Sequence, residues 1–110
     1  MKNTDADKVV IQLDMGNMYI AGALAKDILK QYPGRFDTIH IKDMIKNADG
    51  NYESTIIGKG VVGSREVTKL SGKTGGSWLY IIEQESYQGK EPMECMRENL
   101  AAAKKWGFKA

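Results

Sequence analysis

This sequence of 110 residues has little of several features that define whole classes of protein. It has one cysteine, Cys95, and one histidine, His40, so an internal disulfide framework and a cysteine-rich zinc module are excluded. The net charge of +2 is small and scattered, which argues against a nucleic-acid-binding stripe and a polybasic membrane anchor. No apolar run could cross a bilayer, and the N-terminus lacks a signal-peptide stretch. We expect one small cytoplasmic domain with neither nucleic acid nor membrane as its partner.

Short apolar strands alternate with amphipathic helices along the chain. β-Branched and apolar runs predict three strands, at 9–13, 37–42 and 78–83. The third, WLYIIE, is typical of a strand buried on both faces. The segment between the second strand and Ile56 reads as a long polar connection.

A predicted helix follows each strand. Apolar spacing, a proline-glycine stop after the first helix and Pro92 at the start of the last one predict helices at 21–31, 64–73 and 92–106. In the last helix Cys95 reads as a small core residue. We expect its buried stripe to contain Met93, Met96, Leu100 and Ala103.

Three βα units in series imply a parallel sheet, because parallel strands need crossovers of this length. Helices on one side would leave the other face and both edges of such a sheet uncovered. The uncovered face would carry polar side chains, which are poor material for a self-contained core. The α/β fold class is therefore predicted as a partial TIM-type barrel, with residues 1–110 forming one partial-barrel domain.

Each predicted strand places a side chain that can ligate a metal at or near its carboxyl end: Asp14, His40 and Glu83. In α/β barrels, ligands bind at the carboxyl ends of the strands. One imidazole with two carboxylates suits Mn²⁺, Mg²⁺, Co²⁺ or Zn²⁺. A packed histidine and turn-forming acids would produce the same pattern, so both interpretations stay open at this point.

Several segments resemble, in order and spacing, later strands of the xylose-isomerase-like barrel superfamily, which includes sugar phosphate isomerases/epimerases and endonuclease IV. These segments are VIQLDMGNMYIAG, YPGRFDTIHIKD, IIGKGVVG, and WLYIIEQE followed by a helix ending in KKWGF. The likeness covers residues 5–108 and is strongest to the sugar phosphate isomerase/epimerase branch. It implies that the chain corresponds to the last three βα units of an eight-stranded barrel.

The resemblance also implies roles for particular residues. Asp14, His40 and Glu83 match three divalent-metal ligands, and Glu83 would also act as an acid/base. The fourth ligand, a glutamate from an earlier strand, has no counterpart in this sequence. Lys42 is expected to stabilise an oxyanion or to hold a phosphate or hydroxyl, unless it simply extends towards solvent.

Two further residues are candidates for binding a sugar or sugar phosphate. Asn17 could hydrogen-bond a substrate hydroxyl, although asparagine after glycine is also ordinary turn chemistry. Lys59 lies in a Gly-Lys-Gly segment whose backbone N–H groups could hold a phosphate, but a tight turn is the better interpretation. Asp43 would orient a loop or His40, or cap a turn. Glu85 is the rival of Glu83, which is preferred because it directly ends the apolar run.

These features lead to a metal-dependent sugar or sugar-phosphate isomerase/epimerase, of which this sequence holds the C-terminal part. The alternative is a catalytically incomplete barrel fragment that forms a homo-oligomer or complements a second barrel half. An endonuclease IV-like phosphoesterase is a minor alternative. It is disfavoured because Asn17 stands where those enzymes carry a histidine and NYEST lacks their Asp and His.

Overall fold

The structure is a computed structural model that describes residues 1–109. In chain order its elements are β1 (Gln12–Asp14), α1 (Met15–Ile20), α2 (Ala25–Gln31), β2 (Thr38–Ile41), β3 (Asp43–Lys46), β4 (Tyr52–Thr55), α3 (Ser64–Leu70), a π-helical turn (Ser71–Gly75), β5 (Leu79–Ile82) and α4 (Pro92–Lys105).

The central sheet has three parallel strands in the order β1-β2-β5. In its register Asp14 lies beside His40, and His40 lies beside Ile81. The side chains alternate, so Leu13, Ile39 and Ile41 occupy the opposite face and are buried against the helices. The predicted three parallel βα units are confirmed, and the fold is a partial (β/α) barrel.

The first strand is shorter and later than predicted. Residues 9–11 lie before the start of β2 and hydrogen-bond to Arg35 rather than to a strand. The Arg35 guanidinium donates to the Val9 carbonyl oxygen at 3.1 Å, and the Arg35 carbonyl oxygen accepts from the Ile11 N–H at 2.9 Å. Ladder pairing begins only at Gln12, opposite Thr38. The β-branched run therefore predicted a strand that is too long, because strand length depends on the length of the neighbouring strand as well as on residue propensity.

The helix predicted at 21–31 is present as α2 but begins four residues later, and a further short helix, α1, precedes it and was not predicted. Asp14 caps α1 by accepting a hydrogen bond from the Asn17 backbone N–H at 2.8 Å. Gly22, at φ +85°, lies in the turn between the two helices, and α2 begins at Ala25. The sequence signal for α1 was Asp14 itself, since an aspartate at a strand end is also a good helix N-cap.

The predicted polar connection after β2 contains a β-hairpin, which the sequence analysis missed. β3 and β4 pair antiparallel, with Asp43 opposite Thr55. The Asn47 side chain accepts from the backbone N–H groups of Asp49 and Asn51, both at 3.0 Å, and Gly50 has a φ of +81°. An asparagine followed by Asp-Gly was the available turn signal.

The last helix has the predicted bounds but presents a different face. Pro92 lies in its first turn, and Gly107, at φ +100°, follows its C-cap. Its buried residues are Cys95, Asn99 and Ala103, spaced by four. Cys95 and Ala103 are core residues as predicted, but the expected stripe is wrong at Met93, which is 64% exposed, and at Leu100, which is 42% exposed. The helix is turned by the hydrogen bonds of Asn99, which accepts from Ile57 N–H at 2.9 Å and donates to Gln84 at 2.7 Å.

The third strand is not buried on both faces, contrary to the prediction. On β5, Leu79 is 42% exposed and Ile81 is 40% exposed, and both lie on the sheet face opposite the helices. That face has no second layer, so apolar residues on it remain in contact with solvent. Across residues 1–109, no helix is both long and apolar enough to cross a membrane.

Candidate metal centre and its lysine

Three predicted ligands meet at the carboxyl ends of the parallel strands. Asp14, His40 and Glu83 each offer one ligand atom, and these atoms all lie within 4.8 Å of one another. His40 Nδ1 is 3.2 Å from Glu83 Oε2 and 3.6 Å from Asp14 Oδ2. The parallel register produces this meeting, because it places Asp14 beside His40 and ends β5 one residue before Glu83.

The other ring nitrogen of His40 contacts the Gln12 side-chain amide. This contact holds the ring so that Nδ1 faces the two carboxylates. A glutamine amide can present either its nitrogen or its oxygen, so Gln12 can support either neutral tautomer of the imidazole. Gln12 therefore acts as the outer partner that metal-binding histidines need for orientation. The only sequence signal for Gln12 is its position two residues before Asp14, which places both side chains on one face of the strand.

Asn17 holds Asp14 from the first turn of α1. Its backbone N–H donates to Asp14 Oδ1 at 2.8 Å, and its side-chain amide donates to Asp14 Oδ2 at 3.0 Å. The amide oxygen of Asn17 accepts from Lys42 Nζ at 3.4 Å. Asn17 is thus at the site, where it orients one carboxylate and one ammonium; its predicted contact with substrate stays a prediction.

Lys42 is buried, with only 2% of the residue exposed. Its aliphatic stem packs on α1 at Gly16, where an added Cβ would lie 2.8 Å from Lys42 Cγ. Its ammonium is 2.8 Å from Glu85 Oε2 and 3.4 Å from Glu83 Oε2. The alternative of a lysine extending towards solvent is therefore wrong.

The pKa of Lys42 is raised above its ordinary value. Burial acts to lower it, but the hydrogen bond to Glu85 and the charges of Asp14, Glu83 and Glu85 outweigh burial. Lys42 is consequently a cation at neutral pH. It is suited to stabilising negative charge and unsuited to accepting a proton.

Glu85 reaches Lys42 from a loop that the hairpin anchors. The buried hydroxyl of Ser54 on β4 accepts from the backbone N–H groups of Glu85 at 2.6 Å and Ser86 at 2.9 Å. Gln88 also donates to the Ser54 carbonyl oxygen at 2.9 Å. The missed hairpin therefore has a clear role, which is to fix the loop that follows Glu83.

Asp43 organises the loop between β4 and α3 and does not contact His40. Its Oδ1 accepts from the backbone N–H groups of Met44 at 3.0 Å and Val62 at 3.2 Å. Its Oδ2 accepts from Gly58 N–H at 2.8 Å and the Ser64 hydroxyl at 2.9 Å. Of the roles left open for Asp43, the structure shows loop orientation.

The contacts of Lys59 are with residues outside the cluster of Asp14, His40 and Glu83. Its ammonium is 3.2 Å from Glu98 on α4, which also pairs with Lys90 at 2.7 Å. Lys59 closes a tight turn that begins at Ile56: its backbone N–H donates to the Ile56 carbonyl oxygen at 3.0 Å, and Gly58 inside the turn has a φ of +85°. The turn interpretation of Gly-Lys-Gly is therefore the one the structure shows, and the structure adds no contact between Lys59 and the site.

The donor set fits a divalent ion. With metal–ligand bonds of about 2.1 Å, adjacent ligand atoms lie about 3.0–3.5 Å apart in octahedral or tetrahedral geometry. The His40–Glu83 and His40–Asp14 separations, 3.2 and 3.6 Å, are close to that range. Two carboxylate oxygens and one imidazole nitrogen are also the predicted donor types for Mn²⁺, Mg²⁺, Co²⁺ or Zn²⁺.

A sheet with its helices on one face and metal-capable side chains at its strand ends defines this chain as part of a (β/α) barrel. Its structure is similar to that of a sugar phosphate isomerase/epimerase from Parabacteroides distasonis ATCC 8503, with a TM-score of 0.75 and 28% sequence identity. The match covers 97% of this chain and 33% of the other, so the chain spans about a third of that protein. No protein-family profile matches the sequence, and no curated protein does. The resemblance inferred from the sequence motifs is confirmed, and the coverage is consistent with a C-terminal portion.

Proposed function

We propose that this chain is the C-terminal portion of a metal-dependent sugar or sugar-phosphate isomerase/epimerase. The observation that carries the proposal is the convergence of Asp14, His40 and Glu83 at the strand ends. It occurs in a chain that is similar to a sugar phosphate isomerase/epimerase over 97% of its length. A cluster of this kind in a barrel stands where barrel enzymes bind their substrates.

Each residue of the site would have a separate role in transferring a proton at the carbon next to a sugar carbonyl. A divalent ion held by Asp14, His40 and Glu83 would act as a Lewis acid on the carbonyl oxygen. Glu83 uses Oε2 for His40 and Lys42, and no other described residue hydrogen-bonds its Oε1. Oε1 is therefore the atom that accepts or returns the carbon-bound proton. Lys42, kept charged by its neighbours, stabilises negative charge that develops on the substrate oxygen.

The test of this proposal is titration of the 110-residue chain with Mn²⁺ and Zn²⁺ by isothermal calorimetry. We expect one ion per chain, and a loss of affinity of at least about tenfold in His40→Ala and in Glu83→Gln. Glu94→Gln, the same charge change at an exposed position of α4, is the matched control and should leave metal affinity unchanged. We expect little turnover of aldoses or ketoses, because the fourth ligand that the resemblance implies, a glutamate that would share the proton transfer with Glu83, has no counterpart in this sequence.

Either of two results would contradict the proposed metal site. One is the absence of stoichiometric binding in the wild-type chain. The other is equal affinity in the wild-type chain and His40→Ala, because His40 is the central member of the cluster.

The second candidate function is that of a barrel fragment that pairs with another polypeptide. The observation that favours it is the uncovered face of β5, where Leu79 and Ile81 are 42% and 40% exposed, beside Trp78 at 70%. β1 and β5 are also the two edge strands of the sheet, and edge strands present unpaired backbone groups. This function predicts self-association, measurable by sedimentation velocity, whether or not a divalent metal is present.

A further inference from the structure

Lys42 is the only cation, among the residues that the structure describes, in contact with the metal-capable cluster. It is the natural partner for an anionic group of a substrate. However, the ammonium already has an anionic partner outside the cluster, since Glu85 Oε2 lies 2.8 Å away and Glu83 Oε2 lies farther, at 3.4 Å. The shorter contact is therefore with Glu85, which is not one of the three proposed metal ligands.

Glu85 combines an anchored backbone with an exposed carboxylate. The Ser54 hydroxyl fixes the backbone N–H groups of Glu85 and Ser86, whereas the Glu85 side chain is 66% exposed. Because the ammonium is buried and the carboxylate is exposed, Glu85 lies on the solvent side of Lys42. The hairpin fixes the backbone of Glu85, and the contact with Lys42 places its carboxylate.

The charges then decide which ligand the site accepts. A divalent ion would balance Asp14 and Glu83, and Glu85 balances Lys42, so no positive charge is left over for a dianion. A phosphate group carries about −1.5 to −2 charge at pH 7 and would have to displace Glu85 or lie against it. A sugar hydroxyl, in contrast, can donate to a Glu85 oxygen and accept from Lys42 at no cost in charge.

We infer that Glu85 is a specificity residue that masks Lys42 and selects uncharged sugars over sugar phosphates at this end of the site. The inference rests on the proposed function and narrows its substrate class. Glu85 acts through Lys42, so its removal should expose an anion-binding ammonium without removing any proposed metal ligand.

The experiment uses sulfate as the probe, since it is a tetrahedral dianion like phosphate and stays soluble with Mg²⁺. Sulfate is titrated into the 110-residue chain, with and without Mg²⁺, while NMR follows the Lys42 side-chain ammonium. Wild type and Glu94→Gln should show no saturable change over the sulfate concentrations used. Glu85→Gln should show saturable binding with a Kd at least about tenfold below the highest concentration used, and Ser54→Ala, which frees the loop, should lie between them.

Two results would overturn the inference. Saturable binding of sulfate at Lys42 in the wild type would show that Glu85 does not exclude anions. A Glu85→Gln variant that gains no sulfate affinity would show that Glu85 is not the residue that excludes them. Failure of the proposed function is seen separately, as unchanged metal affinity in His40→Ala, because the Lys42–Glu85 pair is present without a metal.

Discussion

Replacing Asp43 by asparagine tests whether this buried carboxylate holds the loop beside the site. Asp43 is 1% exposed and accepts four hydrogen bonds, two at each oxygen. In Asp43→Asn one oxygen becomes an NH₂ group. The least costly arrangement places it at Ser64, whose hydroxyl can accept. The Gly58 N–H then faces a donor and keeps only its longer bond to the Ser64 hydroxyl, at 3.2 Å.

The expected loss follows from those contacts. Setting the Gly58 N–H against a second donor, in place of its shorter bond to Asp43, costs about 1–3 kcal/mol. The remaining hydrogen bonds also lose the assistance of the charge. We expect Asp43→Asn to lower the free energy of unfolding by about 2–4 kcal/mol. That is a large part of the 5–15 kcal/mol typical of a small domain.

The assay is equilibrium unfolding in urea, followed by far-UV circular dichroism, with the slope held common between variants. Asp49→Asn, in the exposed hairpin turn, is the matched control and should change the unfolding free energy by less than about 0.5 kcal/mol. Ser64→Ala should lose part of its effect in the Asp43→Asn background, because the two residues share a hydrogen bond. A loss below about 1 kcal/mol in Asp43→Asn would refute this account of the loop.

Two further predictions concern the exposed sheet face and the outer surface. Leu79→Asp should reduce self-association in sedimentation velocity, whereas Val61→Asp, at a comparably exposed apolar residue in the 58–63 loop, should not; equal effects would argue against the β5 face as the contact. The hydrogen bonds from Lys90 and then Lys59 lower the pKa of Glu98 from its ordinary value of 4.5. The stability that these hydrogen bonds contribute is therefore present above pH 4.5 and is lost as the pH falls through the lower pKa of the folded state. Glu98→Gln should reduce the fall in the free energy of unfolding at acid pH, whereas Glu94→Gln should leave it unchanged.

Much of the site could be predicted from the sequence because its geometry is nearly local to three strands. Asp14 and Glu83 follow or end a short apolar run and His40 lies near the end of another, and parallel strands bring their carboxyl ends to one edge. No exact strand boundary was needed for this, since β1 was placed too early and the metal-capable residue at its end was still identified. The bounds of α4 were likewise set by local signals, Pro92 and Gly107.

The rest depended on contacts between residues far apart in the chain. Asn99 turns α4 through bonds to Ile57 and Gln84, 42 and 15 residues away, so apolar spacing alone chose the wrong face. The contact of Glu85 with Lys42 likewise depends on Ser54, 31 residues earlier, because the Ser54 hydroxyl fixes the Glu85 backbone.

The sequence by itself determined that three parallel βα units follow one another, and it determined the identity and order of the metal-capable side chains. Both follow from the alternation of apolar and polar residues and from the turn and cap residues along the chain. Only the tertiary structure decided that Lys42 is buried and paired with Glu85. It also decided that Lys59 pairs with Glu98 and that one face of β5 stays open. Those outcomes depend on which distant elements pack together, and residue type and spacing do not contain that information.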